Sequence, residues 1–331
     1  MNIVLFSDSN MFPGLLALIN SIIKNKLPNY ELTLHIFVEN TKFKKIIECI
    51  TNINTINYII NILNIEIIKN NEYTKSIYKN YININNLLSE MGENTNNYNL
   101  FNLGRLLIPE LLPNIDKCMY LDSDMIVLSD LSSVYNNFIP NNKCFYAGVV
   151  NVKGKYNKKN NLFQKKYNKK EFKNTQGGIF ITDLSYWKKN NILKLIENVL
   201  YDQYIELKEN RNGIYSKVSF TQAVQDIVFN QYEIKLIPKL YNIIAKELDF
   251  RTPDNGGPSK EDYENGMNIG LRDNTIKKWE KYKFHDNEIK ILHFKGPVKP
   301  WHKSKKNKFL KKYLSIWDKY FPKSINKVIT E

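Results

Sequence analysis

The chain has 331 residues, a formal net charge of +15, and 43% hydrophobic and 13% aromatic residues. That apolar content supports a packed core and excludes wholesale disorder, and no run approaches the ~18 apolar residues of a membrane span. The charge favours an anionic partner but does not choose among nucleic acid, a phosphorylated substrate and an acidic membrane.

In chain order, Ile3–Phe6 is an apolar run that reads as a first strand and not as a signal peptide. A Ser-Asp-Ser-Asn loop and Pro13 follow, and then an apolar-periodic helix, GLLALINSII. Glu31–Val38 alternates as a strand and Phe43–Ile50 has helical spacing. Thr55–Asn80 fits strand and helix about equally. Asn97–Leu111 has helical spacing, with Pro109 arguing for a break. Lys117–Leu121 reads as a buried strand ending in Asp-Ser-Asp, and Met125–Leu128, Cys144–Val150 and Gly178–Ile181 read as further strands. Lys153–Lys173 reads as a lysine-rich surface loop, Leu193–Leu207 and Phe220–Phe229 as helices, and Ile289–His293 as the last strand. This alternation implies an α/β fold with a largely parallel sheet, in one domain with an extension after about residue 302. Ligands of such sheets bind at the carboxyl ends of the strands, where Asp8 and Asn10 fall.

Two segments carry chemistry. Asp122-Ser123-Asp124 puts two carboxylates directly after a buried strand, able to converge on a hard cation such as Mn²⁺ or Mg²⁺ that also takes substrate phosphates. By spacing alone, a simple turn explains it as well. His293-Phe294-Lys295-Gly296-Pro297-Val298-Lys299 offers an imidazole ligand, a glycine permitting close phosphate approach, and two point charges. A core histidine followed by a Pro-rich turn is the plainer alternative. The cysteines, Cys49, Cys118 and Cys144, lack metal spacing and read as buried thiols of a cytoplasmic protein.

Together these segments resemble the retaining glycosyltransferases of family 8. The resemblance is carried by NIVLFSDSN, GRLLIPELLPNIDKCMYLDSDMIVLSDLSSVY, QGGIFITDLSYW, VQDIVFN and HFKGPVKPWH, in that order over roughly residues 1–302. It implies a GT-A-type nucleotide-diphospho-sugar transferase fold and metal-dependent transfer of a hexose, glucose or galactose, from a UDP-sugar to a glycan, lipid-linked or protein acceptor. Asp122, Asp124 and His293 would hold the metal. Asp8 and Asn10 would contact the uridine, Gly296 and Lys299 would grip the diphosphate, and Ser123 and Lys295 would belong to the same donor-binding set. Arg105, Gln176 and Gly177 would face the donor sugar. Gln225 would lie beneath the anomeric carbon with Asp226 after it, and Asn151 stands where relatives bind the sugar with an acid. Met11, Asn151, Gln176 and Val224 depart from the family's pattern, so the metal positions are kept while sugar-facing ones have drifted. A lapsed member acting as a binding or scaffold protein is the alternative, and 21 tyrosines leave self-glycosylation open. Nucleic acid is not an expected partner, since no nucleic-acid-binding spacing appears.

The segment 303–331 mixes lysines with aromatics, and on a helix Phe309, Tyr313, Ile316 and Tyr320 share a face. Such a face suits an anionic membrane surface or packing on the body, and the two readings stand equal.

Overall fold

The computed structural model describes residues 1–51, 53–69, 71–92, 99–150, 173, 175–210, 220–245, 288–296, 299–302 and 311–322. Its main sheet contains β1 (Asn2–Ser7), β2 (Thr33–Val38), β3 (Asn57–Ile62), β4 (Lys117–Asp122), β6 (Tyr146–Val150), β7 (Thr175–Asp183) and β8 (Ile234–Ile237), in the order β3-β2-β1-β4-β7-β6-β8. Every pairing in it is parallel except those of β7, which runs antiparallel to both β4 and β6. The expected α/β architecture is therefore present, with one reversed strand near its middle. A second ladder joins β5 (Met125–Val127), β10 (Ile291–His293) and β9 (Ile243–Ile244), in the order β5-β10-β9.

Helices cover both faces of the sheet. They are α1 (Phe12–Asn25), α2 (Thr41–Ile50), α3 (Ile65–Lys69), α4 (Glu72–Glu90), α5 (Leu100–Leu111), α6 (Ser132–Asn137), α7 (Leu184–Lys189), α8 (Ile192–Asn210), α9 (Phe220–Phe229) and α10 (Lys311–Tyr320). The period-2 pleat of the strands sorts residues between two cores. Ile3 and Leu5 of β1 pack with Leu34, Ile36, Leu121 and Ile181, whereas Val4 and Phe6 pack with Phe37, Leu106, Tyr120 and Phe180. Asparagine, abundant in this chain, starts several of the helices. Asn40, Asn71 and Asn99 each accept a backbone N–H at the first turn of α2, α4 and α5.

The ambiguous stretch resolves into β3, α3 and the start of α4, because the Asn71 cap starts a helix where sequence periodicity alone is indecisive. Pro109 does not break α5, which runs to Leu111. It stands in the last turn, where only the bond to the Arg105 carbonyl is forfeited. Cys118 and Cys144 are buried, but Cys49 is exposed. Asn151 and nearly all of the expected 153–173 loop lie outside the described residues.

The tail's helix is α10. Tyr313, Trp317 and Tyr320, spaced by four and three residues, are buried against Ala17, Ile126, Ile243, Leu292 and Phe294. Packing on the body is thus the reading that holds for this face, while Phe309 lies outside the described residues. No helix among the described residues is long and apolar enough to cross a membrane.

Candidate metal and donor site

The sheet brings the candidate residues to one edge. Strands β1 and β4 are parallel, with Phe6 opposite Asp122, so the loop holding Asp8 and Asn10 opens beside the Asp-Ser-Asp turn. Because β7 is antiparallel to β4, it is the beginning of β7 that lies at this edge, and Gln176-Gly177-Gly178 stands next to Asp122. A methyl group on Gly178 would fall 2.7 Å from Asp122 Oδ2 and 2.9 Å from His293 Cε1, so only glycine fits this approach. Strand β5 leaves Asp124 directly and pairs antiparallel with β10, His293 opposite Met125, and the Phe294 N–H donates to the Asp124 carbonyl at 2.9 Å. Two distant segments are thereby clamped together by backbone hydrogen bonds.

At this clamp one oxygen of Asp122, one of Asp124 and a ring nitrogen of His293 lie within 4.8 Å of one another. His293 Nε2 is 3.1 Å from Asp124 Oδ1 and 4.0 Å from Asp122 Oδ2. The other atom of each group is already engaged. Asp122 Oδ1 accepts from the Tyr120 hydroxyl at 2.6 Å and pairs with Arg105 Nη2 at 3.2 Å. Lys299 Nζ donates to Asp124 Oδ2 and, at 3.1 Å, to the Phe294 carbonyl. His293 Nδ1 meets Asn242 Oδ1 at 2.9 Å. What remains is one inward atom per residue, and Asp124 Oδ1 is buried without a hydrogen bond among the described residues. Two carboxylate oxygens and an imidazole nitrogen, one of them orphaned, fit a divalent cation of the Mn²⁺ or Mg²⁺ kind.

The electrostatics agree with this geometry. Burial pushes the Asp124 carboxyl up, but His293 and Lys299 together hold it far below the usual carboxylate range. Burial works against the Arg105 charge, yet Asp122, followed by Tyr120, Tyr81 and Asp124, raises its pKa above the ordinary value. Burial also keeps Tyr120 protonated well beyond its ordinary range, against the pull of Arg105, and so a donor to Asp122.

Across Gly177 the character changes. Arg105 Nη1 donates to the Gly177 carbonyl at 2.9 Å, and a methyl on Gly177 would stand 3.1 Å from Gln225 Oε1 and 3.2 Å from Arg105 Nη1. Gln225 is 1% exposed and Gln176 3%. Gln225 Oε1 and Nε2 and Gln176 Oε1 nevertheless have no hydrogen-bond partner among the described residues. Asp226 points its Oδ1 at Thr175, taking the backbone N–H at 3.1 Å and the hydroxyl at 2.9 Å, while Gln222 holds the Thr175 carbonyl at 2.7 Å. Burial raises the Asp226 carboxyl to about 7, against the opposing Thr175 hydrogen bonds and the charge of Lys295.

Most expected site residues thus meet at one edge. The Asp8 carboxylate accepts from the Met11 N–H at 2.9 Å and from the Asn99 amide, tying the first loop to α5. Asn10 has an exposed side chain, and its carbonyl takes the Trp301 indole N–H at 3.0 Å. Ser123 is buried, and its carbonyl would lie 2.5 Å from a methyl on Gly14, so α1 packs tightly on the turn. Gly296 has φ +108°, a backbone conformation that favours glycine, and Lys295 is exposed. Asn151 is not brought in, since it lies outside the described residues. Sequence reasoning missed Tyr120, Asn242 and Thr175. Tyr120 had a usable signal, standing two residues before Asp122 on the same strand face. Asn242 had none in so asparagine-rich a chain.

Residues 2–305 match the profile of glycosyl transferase family 8. The human glycosyltransferase 8 domain-containing protein 1 is 23% identical over 237 residues, 66% of this chain and 53% of that protein. Its Xenopus tropicalis counterpart is 25% identical over the same shares. The chain therefore spans about half the length of the curated relatives it matches. Among solved structures, the galactosyltransferase LgtC in complex with donor and acceptor sugar analogs aligns with a TM-score of 0.61 at 14% identity, over 97% of this chain and 95% of that one. Mouse xyloside xylosyltransferase 1 aligns at 0.54 and 10% identity, over 90% of this chain and all 100% of that one. At such identities these structures share the fold.

Proposed function

The chain belongs to glycosyl transferase family 8, and on that premise we propose that it is a metal-dependent, retaining hexosyltransferase. The donor in this reading is a UDP-sugar, UDP-glucose or UDP-galactose, and the acceptor is a glycan, a lipid-linked sugar or a protein. The observation that carries it is the convergence of Asp122 Oδ2, Asp124 Oδ1 and His293 Nε2, each with its companion atom bonded elsewhere.

A divalent cation held by those three residues would neutralise the charge that grows on a departing nucleoside diphosphate. Lys299, already on Asp124, places a second positive charge at the same corner, and Gly296 lets backbone approach the phosphates. Arg105 spans Asp122 and the Gly177 carbonyl, so it fixes the distance between the metal corner and the sugar-facing strand. Gln225 is a poor nucleophile, and its amide stabilises oxocarbenium-like charge or positions the acceptor. Asp226 supports that geometry through Thr175. Asp8 and Asn10 order the loop facing the nucleoside. Residues 1–302 form the catalytic unit. Membrane contact through 303–331 is not included, because Tyr313, Trp317 and Tyr320 pack inward.

The test is turnover of a panel of UDP-sugars with and without Mn²⁺, with mass detection of the intact protein. Metal-dependent consumption of one sugar is the expected result, and added protein mass would identify self-glycosylation. Binding of UDP and Mn²⁺ without turnover of any donor would favour the lapsed-enzyme alternative. Absence of binding would overturn the reading.

A further inference from the structure

We propose that Asn242 is a positioning residue that makes His293 a cation ligand, by holding the imidazole in the tautomer with its proton on Nδ1. This rests on the metal reading above. Asn242 is fully buried just before β9, which pairs parallel with β10 and sets Ile244 opposite His293. Its backbone N–H is fixed on the Lys239 carbonyl at 2.9 Å. Its Oδ1 lies 2.9 Å from His293 Nδ1, and a carboxamide oxygen only accepts, so Nδ1 is the donor.

In the neutral imidazole that ligates a cation, the single ring proton then sits on Nδ1 and Nε2 is left with a bare lone pair. That lone pair faces Asp124 Oδ1 at 3.1 Å and Asp122 Oδ2 at 4.0 Å. Three electron-rich atoms facing one another repel, and a cation between them turns the repulsion into binding. The opposite tautomer would aim an N–H at Asp124 Oδ1 and satisfy both groups from within the protein, in competition with any cation. Asn242 selects against it. The amide keeps this orientation even though its own Nδ2 is buried without a hydrogen bond among the described residues. A histidine that ligates metal generally needs such an acceptor on its second nitrogen.

The first experiment titrates Mn²⁺ alone, without nucleotide, into the full chain and follows free Mn²⁺ by electron paramagnetic resonance. Asn242→Asp keeps the acceptor and should bind within a few-fold of wild type. Asn242→Leu removes it and should bind roughly 10- to 100-fold more weakly, with an unchanged circular-dichroism spectrum. The second experiment needs no variant at position 242. It reads the His293 tautomer in metal-free wild type by ¹⁵N NMR, with the signal assigned by its loss in His293→Gln, a simple task with four histidines. A proton on Nδ1 is expected. An Nε2–H form, equal affinity in Asn242→Leu, or equal weakening in Asn242→Asp would each overturn the inference. If Asn242→Leu does not fold, the wild-type tautomer decides. If wild type and Asp124→Asn alike fail to retain Mn²⁺, it is the metal reading that falls, and this inference with it.

Discussion

At the cation corner, Tyr120 and Arg105 occupy one oxygen of Asp122, Lys299 one of Asp124, and Asn242 one nitrogen of His293, so each group presents a single atom inward. Across Gly177, the buried amides of Gln225 and Gln176 leave polar atoms without any partner among the described residues. The first corner is organised from within the protein. The second is not, among the described residues. An unsatisfied buried polar group costs about 1–3 kcal/mol, so these buried amides are held at the expense of stability.

The comparison can be broken most directly at Asp124. Asp124→Asn removes the charge that Lys299 and His293 are built around, and transfer should fall about 1,000-fold, roughly 4 kcal/mol of barrier, in a steady-state assay at saturating Mn²⁺. Near-normal turnover would remove the cation corner from the chemistry.

Gly178→Ala tests whether the two sides must touch. Its added methyl meets Asp122 Oδ2 at 2.7 Å and Met125 Cε at 2.9 Å, and the shift it forces should lower kcat by ~100-fold. An unaffected kcat would show that the strand and the turn can move apart freely.

The Gln225 side is probed by pH through Asp226, raised to about 7. A raised folded-state value means the folded protein holds this proton more tightly than the unfolded chain does. The resulting stability is present below about pH 4 and lost as pH climbs through about 7. In urea unfolding, wild type minus Asp226→Asn should therefore decline across that window, with a slope approaching ~1.4 kcal/mol per pH unit. A flat difference would mean the carboxyl is ionised throughout.

The smallest effect sharpens the contrast best. Gln225→Leu should raise the thermal stability of the ligand-free protein by about 1 kcal/mol while lowering transfer. A loss of stability would reveal that the amide has a partner in the folded chain.

The two halves of the site were not equally legible. Asp122 and Asp124 follow an apolar run, and His293 ends another, so their placement at strand ends was readable from the apolar pattern alone. Gln225, in contrast, stands within a helical pattern and was singled out only through the family resemblance. Asn242 and Thr175 act entirely through other residues, and nothing in local pattern marks them. Pro109 misled because propensity says what proline disfavours in a helix interior, while its place in the last turn of α5 makes the loss small.

The amino-acid sequence by itself determined the α/β class, most strands and helices, and the residues able to bind a cation. These follow from local periodicity and side-chain chemistry, which need no partner to be expressed. Only the tertiary structure decided that β7 runs backwards, that β10 clamps His293 onto the Asp124 turn, and that the aromatic face of α10 turns inward. Strand direction and the covering of an apolar face depend on which surfaces meet. A chain read in order does not contain those meetings until the backbone hydrogen bonds and buried areas of distant segments are made together.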